Sequence, residues 1–231
     1  MIPSNGGTVL SVLALVGTTF ILICATCLAI LATISRNRLL ARRAMGGVLG
    51  LAAVYAIALV AVGARSGDHL LQLGEEKYFC ELDCHLAYSV TGLRPLMGVA
   101  EARGTVWAVT IQTRFDEHTI SSRRSREAPL SPNPRRVSLV AAGGAEFPPL
   151  AATPERLSDL GFTSTPLTQD LRPGESYTTT LLFDLPAKAV PASLDLVEEA
   201  FPTRLMIGHE RSPFHGKALL ALPAGPAGAE S

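Results

Sequence analysis

The sequence predicts two transmembrane α-helices followed by a single all-β sandwich of immunoglobulin-like type, and three observations indicate this fold class. Charge is unevenly distributed: residues 1–64 contain four arginines and no acidic residue, whereas the remainder contains 16 Lys and Arg against 20 Asp and Glu. Two long uncharged stretches occupy the first part of the chain. Alternation of polar and apolar residues replaces them after residue 76. This composition excludes a disordered chain, a disulfide-rich miniprotein and a nucleic-acid binder with an overall basic excess.

The two uncharged stretches are Val9–Ile34 and Ala44–Ala64. A helix needs about 20 apolar residues to cross the hydrocarbon core of a bilayer, and both stretches reach that length. Neither shows the polar face, repeated every 3.6 residues, that a helix in water requires. We therefore expect two membrane spans, preceded by a short tail at 1–8, with the lipid bilayer as their partner.

The connection at 35–43 sets the expected orientation. It holds Arg36, Arg38, Arg42 and Arg43, while the tail at 1–8 has no basic side chain. Basic loops stay in the cytoplasm, so both termini are expected on the outside of a bacterial inner membrane and the C-terminal domain is expected to be extracytoplasmic. A cleaved signal peptide is disfavoured, because its first residues would carry Lys or Arg and its apolar run would be shorter.

The rest of the chain shows short strands separated by turns. The clearest are 105–115 and 177–184, where Trp107, Val109, Ile111 and Phe115 share one face and Tyr177, Thr179, Leu181 and Phe183 share another. Weaker strands are predicted at 85–90, 136–140, 194–197, 204–207 and 218–222. About seven short strands at these spacings predict a sandwich over 86–222, preceded by a linker at 65–85 and followed by a flexible tail at 223–231.

A resemblance agrees with that fold. The run from Leu171 to Tyr177, which contains Pro173-Gly174, is followed by Phe183-Asp184-Leu185-Pro186. Together with Ser212-Pro213-Phe214, it resembles immunoglobulin-like domains of membrane-anchored bacterial surface proteins of unknown function. The resemblance implies an extracytoplasmic β-sandwich over roughly residues 86–222 and no catalytic residues.

One segment, Cys80-Glu81-Leu82-Asp83-Cys84-His85, carries a chemical signal. A disulfide between Cys80 and Cys84 is one interpretation, typical of an oxidising compartment. It needs a turn at 81–83, because the two Cα atoms would be about 13 Å apart in a straight strand and about 6 Å apart on a helical turn. Covalent haem attachment and a pair of catalytic thiols are further interpretations, although the spacing fits neither motif closely.

A metal site is the other leading interpretation of this segment. Two thiolates and an imidazole suit copper or zinc, so Cys80, Cys84 and His85 are the candidate ligands, with His209 or His215 as possible additions. The outline of the chain is similar to the copper-bearing subunit II of cytochrome oxidase. That family continues its motif with His and Met where this chain has Tyr88 and Thr91, and it places the motif late in the domain.

Five arginines, at positions 123, 124, 126, 135 and 136, predict an exposed loop between strands. The sequence contains no recognisable catalytic triad, nucleotide-binding loop or paired-carboxylate motif. These observations favour a binding or assembly module of unknown ligand rather than an enzyme, with a membrane protein complex as a possible partner. The alternative is a copper-binding redox or copper-handling subunit that uses Cys80, Cys84 and His85.

Overall fold

The computed structural model describes residues 5–80, 85–96, 104–122, 124–199 and 201–223. The chain divides into two compact units. A helical unit contains residues up to Asp68 together with the returning segment that ends at Lys217. A β unit contains the intervening residues and the C-terminal strand.

Two long antiparallel helices form most of the helical unit: α1 (Asn5–Ile34) and α2 (Arg38–Gly63). Three residues join them, and Arg36 adopts a positive φ of 58° that reverses the chain. The side chain of Asn37 accepts a hydrogen bond from the Leu40 N–H and caps α2. The second helix therefore begins within the predicted basic loop, because Asn37 supplies a good cap and arginine is a good helix former.

Few of the helix residues whose burial the structure describes are buried. Ala29 and Ala32 of α1 are buried, as are Leu59 and Gly63 of α2. Elsewhere the surfaces of both helices are apolar and exposed, and each helix contains a stretch of 25 or 26 residues long and apolar enough to cross a membrane.

The returning segment, residues 201–217, belongs to the helical unit and begins with a 3₁₀ helix over Phe201–Leu205. A strand was predicted over 204–207, and that prediction is wrong. The carbonyls of Leu205 and Ile207 accept hydrogen bonds from side chains of the two helices, so they are not available to a sheet. Pro202 also lacks the N–H that strand pairing needs.

The β unit is a sandwich of two sheets, as the sequence predicted. Its strands are β1 (His69–Leu71), β2 (Lys77–Cys80), β3 (His85–Leu96), β4 (Thr105–Asp116), β5 (Arg135–Ala141), β6 (Glu146–Phe147), β7 (Ser176–Leu185), β8 (Pro191–Glu198) and β9 (Ala218–Ala221). In the described ranges, one sheet has the order β1-β9-β8-β5-β6 and the other β2-β3-β4-β7. The pairings are antiparallel except for β1 with β9.

The core lies between the two sheets and contains the apolar face predicted from alternation. The strongly predicted strands β4 and β7 both point their alternate apolar residues into it, and Phe115, Ile111 and Phe183 are fully buried. A smaller cluster forms on the opposite face of the same sheet, where Leu157 of the short helix α3 (Pro154–Asp159) packs on β4 and β7.

Two strands lie inside the predicted linker at 65–85. The short strand β1 pairs with β9 in one sheet, and β2 pairs with β3 in the other. The sandwich therefore begins at His69 and not at residue 86. Strands of three or four residues give too little alternation to be recognised from the sequence.

Candidate functional site

A polar network lies on the face of β4 that points away from the core. The Arg114 guanidinium donates two hydrogen bonds to the Glu76 carboxylate, from Nε to Oε1 at 2.8 Å and from Nη2 to Oε2 at 2.6 Å. The Tyr78 hydroxyl donates to Glu76 Oε2 at 2.6 Å. Such a two-pronged pair fixes both side chains, and about a third of each remains accessible to solvent.

The network changes the proton affinity of its members. The hydrogen bond from Arg114 holds the pKa of the Glu76 carboxyl below its ordinary value, although partial burial opposes the shift. The hydrogen bond to Glu76 raises the pKa of the Tyr78 hydroxyl, and burial adds to that effect. Glu76 is thus a stable anion and Tyr78 a stable neutral donor at neutral pH, which is the chemistry of a rigid binding surface.

His85 lies beside this network at the start of β3, opposite Asp116 of β4. Its side chain is buried, and the Nδ1 atom has no hydrogen-bond partner among the described residues. Burial lowers the pKa of the imidazole, and the charge of Asp116 opposes that shift. A histidine binds a metal through a neutral imidazole, so a lowered pKa favours the metal-binding form.

The structure gives a partial view of the predicted thiol motif. Cys80 ends β2 and is the Cα partner of His85 across the antiparallel pair, so the chain reverses direction between them. The predicted turn at 81–83 and the position of Cys84 lie outside the described residues. Whether Cys80 and Cys84 are close in space therefore remains a prediction.

The two histidines suggested as additional ligands belong to the helical unit, whereas His85 belongs to the β unit. His209 Nδ1 accepts a hydrogen bond from the Arg211 N–H at 3.1 Å, and His215 Nδ1 lies 2.7 Å from the Gly216 carbonyl oxygen. Within the described residues, no group of three or more His, Cys, Asp or Glu side chains is arranged to hold a metal ion.

Two buried cations were not anticipated from the sequence. Lys77 of β2 is buried, and its ammonium donates to the carbonyls of Leu196 at 2.7 Å and Ala218 at 2.8 Å, both in the opposite sheet. The Arg135 guanidinium of β5 lies 4.4 Å from the centre of the Phe79 ring, and the Lys77 ammonium lies 5.3 Å from it. Lys77 and Arg135 therefore both face the Phe79 ring, and each of them contacts a residue of the opposite sheet.

The predicted loop of five arginines is only partly an exposed surface. The side chain of Arg135 is fully buried and also approaches Glu198 at 3.9 Å. Arg124 donates to the Pro129 carbonyl and lies over the Phe115 ring at 5.8 Å. Arg126 and Arg136 are exposed, and Arg123 lies outside the described residues. Arg135 was misassigned because its partners come from strands far away in sequence.

A groove of about 350 Å³ runs beside the outer edge of β7. The segments at 150–154 and 164–167 form its other walls, and they hydrogen-bond to β7 through Leu150 N–H and Thr165 N–H. Its lining consists of leucine, alanine, proline, serine and threonine side chains. Such a surface suits a neutral, largely apolar ligand.

No protein-family profile matches the sequence, and no curated protein matches it. Two solved structures are similar in fold. One is the secreted protein MPT63 from Mycobacterium tuberculosis, with a TM-score of 0.43, 15% identity and coverage of 68% of this chain and 98% of that one. The other is the yjhA protein from Bacillus subtilis, with a TM-score of 0.35, 15% identity and coverage of 67% and 99%.

Proposed function

We propose that this protein is a membrane-anchored binding or assembly module and not an enzyme. Its two helices cross a bacterial inner membrane, and its immunoglobulin-like sandwich lies on the extracytoplasmic side. The resemblance to bacterial surface proteins noted in the sequence belongs to this proposal.

The observation that carries the proposal is the apolar, exposed surface of α1 and α2. The exposed side chains include Leu13, Phe20, Leu49, Val54 and Ile57, each more than half accessible. Soluble proteins rarely expose a continuous apolar surface of this extent, because contact with water is unfavourable along its whole length. A bilayer removes that cost, and the exposed length matches its thickness.

Fusions to a reporter enzyme that is active only outside the cytoplasm test the topology. A fusion within the connection at 35–37 is expected to be inactive, and a fusion after residue 223 is expected to be active. Deletion of 38–64 provides the control, because a single remaining span reverses the location of the C-terminus. Activity at the connection and silence at the C-terminus of the intact chain would contradict the orientation.

A copper-binding redox or copper-handling subunit is the second candidate. The buried Nδ1 atom of His85 is the observation that favours it, because this atom has no hydrogen-bond partner among the described residues and the strand partner of His85 is Cys80. A purified protein with one bound copper, lost on Cys84→Ser and weakened on His85→Ala, would support this function. His118→Ala is a matched control, because that imidazole is exposed in the same region. Oxidised thiols without metal would instead support a structural disulfide.

A further inference from the structure

The connection between β8 and β9 is unusually long for two adjacent antiparallel strands. These strands pair directly, and such neighbours are typically joined by about two to five residues. Here the chain leaves the sheet at Glu198, forms the returning segment 201–217 in the helical unit, and re-enters the sheet at Ala218. Long connections in compact domains usually have a function of their own.

Both helices hold the returning segment through side-chain hydrogen bonds. Ser11 of α1 donates to the Ile207 carbonyl at 2.7 Å. Tyr55 of α2 donates to the Leu205 carbonyl at 2.7 Å. Leu205 is the last residue of the 3₁₀ helix, and Ile207 follows it. The two helices thus satisfy backbone carbonyls that would otherwise need water.

Close backbone packing holds the second half of the segment. A side chain at Gly63, the last residue of α2, would collide with the Pro213 carbonyl oxygen, so only glycine permits this approach. The Gly216 N–H donates to Ser66 Oγ at 2.8 Å, and the Lys217 N–H donates to Asp68 Oδ1 at 2.8 Å. The segment is thus fixed beside the end of α2 that lies opposite the arginine-rich connection.

The lengths of the helices give the depth of the segment. The described apolar stretch of α1, Leu10–Ile34, extends about 38 Å, roughly 8 Å more than a hydrocarbon core of about 30 Å. The part of α2 that follows its last arginine, residues 44–63, extends about 30 Å, which equals that thickness. With the arginines at the cytoplasmic surface, Ser11 and Gly63 lie at or beyond the outer boundary of the core, and they place Ile207 and Pro213 near it. Tyr55 precedes Gly63 by about 12 Å, so its contact with Leu205 lies deeper, within the outer leaflet.

The segment presents apolar side chains between the outer leaflet and the outer boundary of the hydrocarbon core. Phe214 is 74% exposed and Leu205 is 43% exposed, while Met206 and Ser212 of the same segment are buried. Phe214 also adopts a positive φ of 62°, a conformation that is unfavourable for an aromatic residue. Arg204, next to Leu205, is exposed and long enough to reach lipid phosphates.

From these observations we propose that the returning segment is a membrane-interfacial anchor whose Leu205 and Phe214 side chains insert among the outer-leaflet lipids beside the helix pair. The inference rests on the proposed membrane anchoring. It adds a third point of membrane contact, made by a part of the chain that directly continues strands β8 and β9 of the sandwich.

Tryptophan fluorescence of the full chain in liposomes tests the proposal. The background variant is Trp107→Phe, which removes the single native tryptophan. Phe214→Trp and Leu205→Trp are then introduced separately as reporters of the segment. Leu49→Trp reports on an exposed position in the middle of α2, and Val190→Trp on an exposed apolar position of the sandwich. The probes are phosphatidylcholines brominated at a shallow or a deep acyl position.

We expect the emission of Phe214→Trp and Leu205→Trp to shift to shorter wavelength. Phe214→Trp is expected to be quenched more by the shallow bromines, and Leu205→Trp by both the shallow and the deep bromines. Leu49→Trp is expected to be quenched more by the deep bromines. Water-like, unquenched emission from both segment reporters, with Leu49→Trp quenched, would overturn the anchor and leave the membrane function standing. An unquenched Leu49→Trp would overturn the membrane function itself. Equal quenching of Val190→Trp and Phe214→Trp would also overturn the anchor, because it would indicate general adsorption of the protein.

Discussion

Two arginines of the sandwich, Arg135 and Arg114, illustrate opposite uses of the same side chain. Arg135 is buried between the sheets against the Phe79 ring, while Arg114 is about one-third exposed on the outer face and held by Glu76. Removing a buried cation leaves its former partners unsatisfied in a low-dielectric interior, whereas water replaces a lost partner at the surface. The inner cations, Lys77 and Arg135, therefore stabilise the fold. The outer network, formed by Glu76, Tyr78 and Arg114, is free to serve recognition.

The largest effect that this contrast predicts is on Lys77. In Lys77→Met, the carbonyls of Leu196 and Ala218 lose a charged donor in the interior. We expect the free energy of unfolding to fall by about 2–4 kcal/mol. Urea titration of the detergent-solubilised chain, followed by Trp107 fluorescence, measures it. Lys188→Met is the control, because Lys188 is exposed. Equal stability of the two variants would show that the inner cations do not hold the sheets together.

The aromatic ring between the inner cations gives the next effect. Phe79→Leu removes the ring that faces both Lys77 and Arg135, and we expect a loss of about 2 kcal/mol. Phe162→Leu is a matched comparison, because the Arg94 guanidinium lies 4.3 Å from that ring near the surface. There we expect about 1 kcal/mol or less. The same titration distinguishes them, and a larger loss at Phe162 would reverse the comparison.

The outer network should tolerate substitution better. Glu76→Gln and Arg114→Lys each disrupt the two-pronged pair, and we expect destabilisation of about 1 kcal/mol or less because both groups are partly in water. The measurement is the midpoint of urea unfolding. A loss comparable with that of Lys77→Met would mean that the outer network is also part of the structural frame.

The pH dependence of stability offers the smallest and most specific effect. The pKa of Glu76 is lowered in the folded protein, so its pairing stabilises the fold above the ordinary carboxyl pKa of 4.5 and is lost as the pH falls through the folded value. The difference in unfolding midpoint between the parent chain and Glu76→Gln should therefore be constant near neutral pH and shrink below 4.5. A difference that grows on acidification would contradict this sign.

The core of the sandwich was predictable because its evidence is local. Val109, Ile111 and Phe115 share the inner face of β4, and the polar residues Thr110, Gln112 and Arg114 lie between them. In β7, Tyr177, Leu181 and Phe183 likewise share one face. The apolar helices were equally clear, because charge is absent over residues 9–34 and 44–64.

The candidate site was less predictable because its contacts join residues far apart in sequence. Lys77 follows two glutamates and resembles part of a solvated linker, yet it binds carbonyls of β8 and β9. Arg135 appeared to belong to a surface cluster, and its partner Phe79 lies in a strand of four residues. The predicted strand at 204–207 failed for the same reason, since Tyr55 and Ser11 decide its conformation.

The pairing of β1 with β9 imposes an order on the assembly of the domain. His69 of β1 follows closely after α2, but its partner Ala218 is made much later in synthesis, after β2 to β8. Until that last strand arrives, β8 keeps an open edge, and an open edge invites pairing with another chain. A ribosome that stalls or a protease that cuts before residue 218 would thus release an aggregation-prone half-sheet. Synthesis through β9 is therefore the step that closes this sheet of the sandwich.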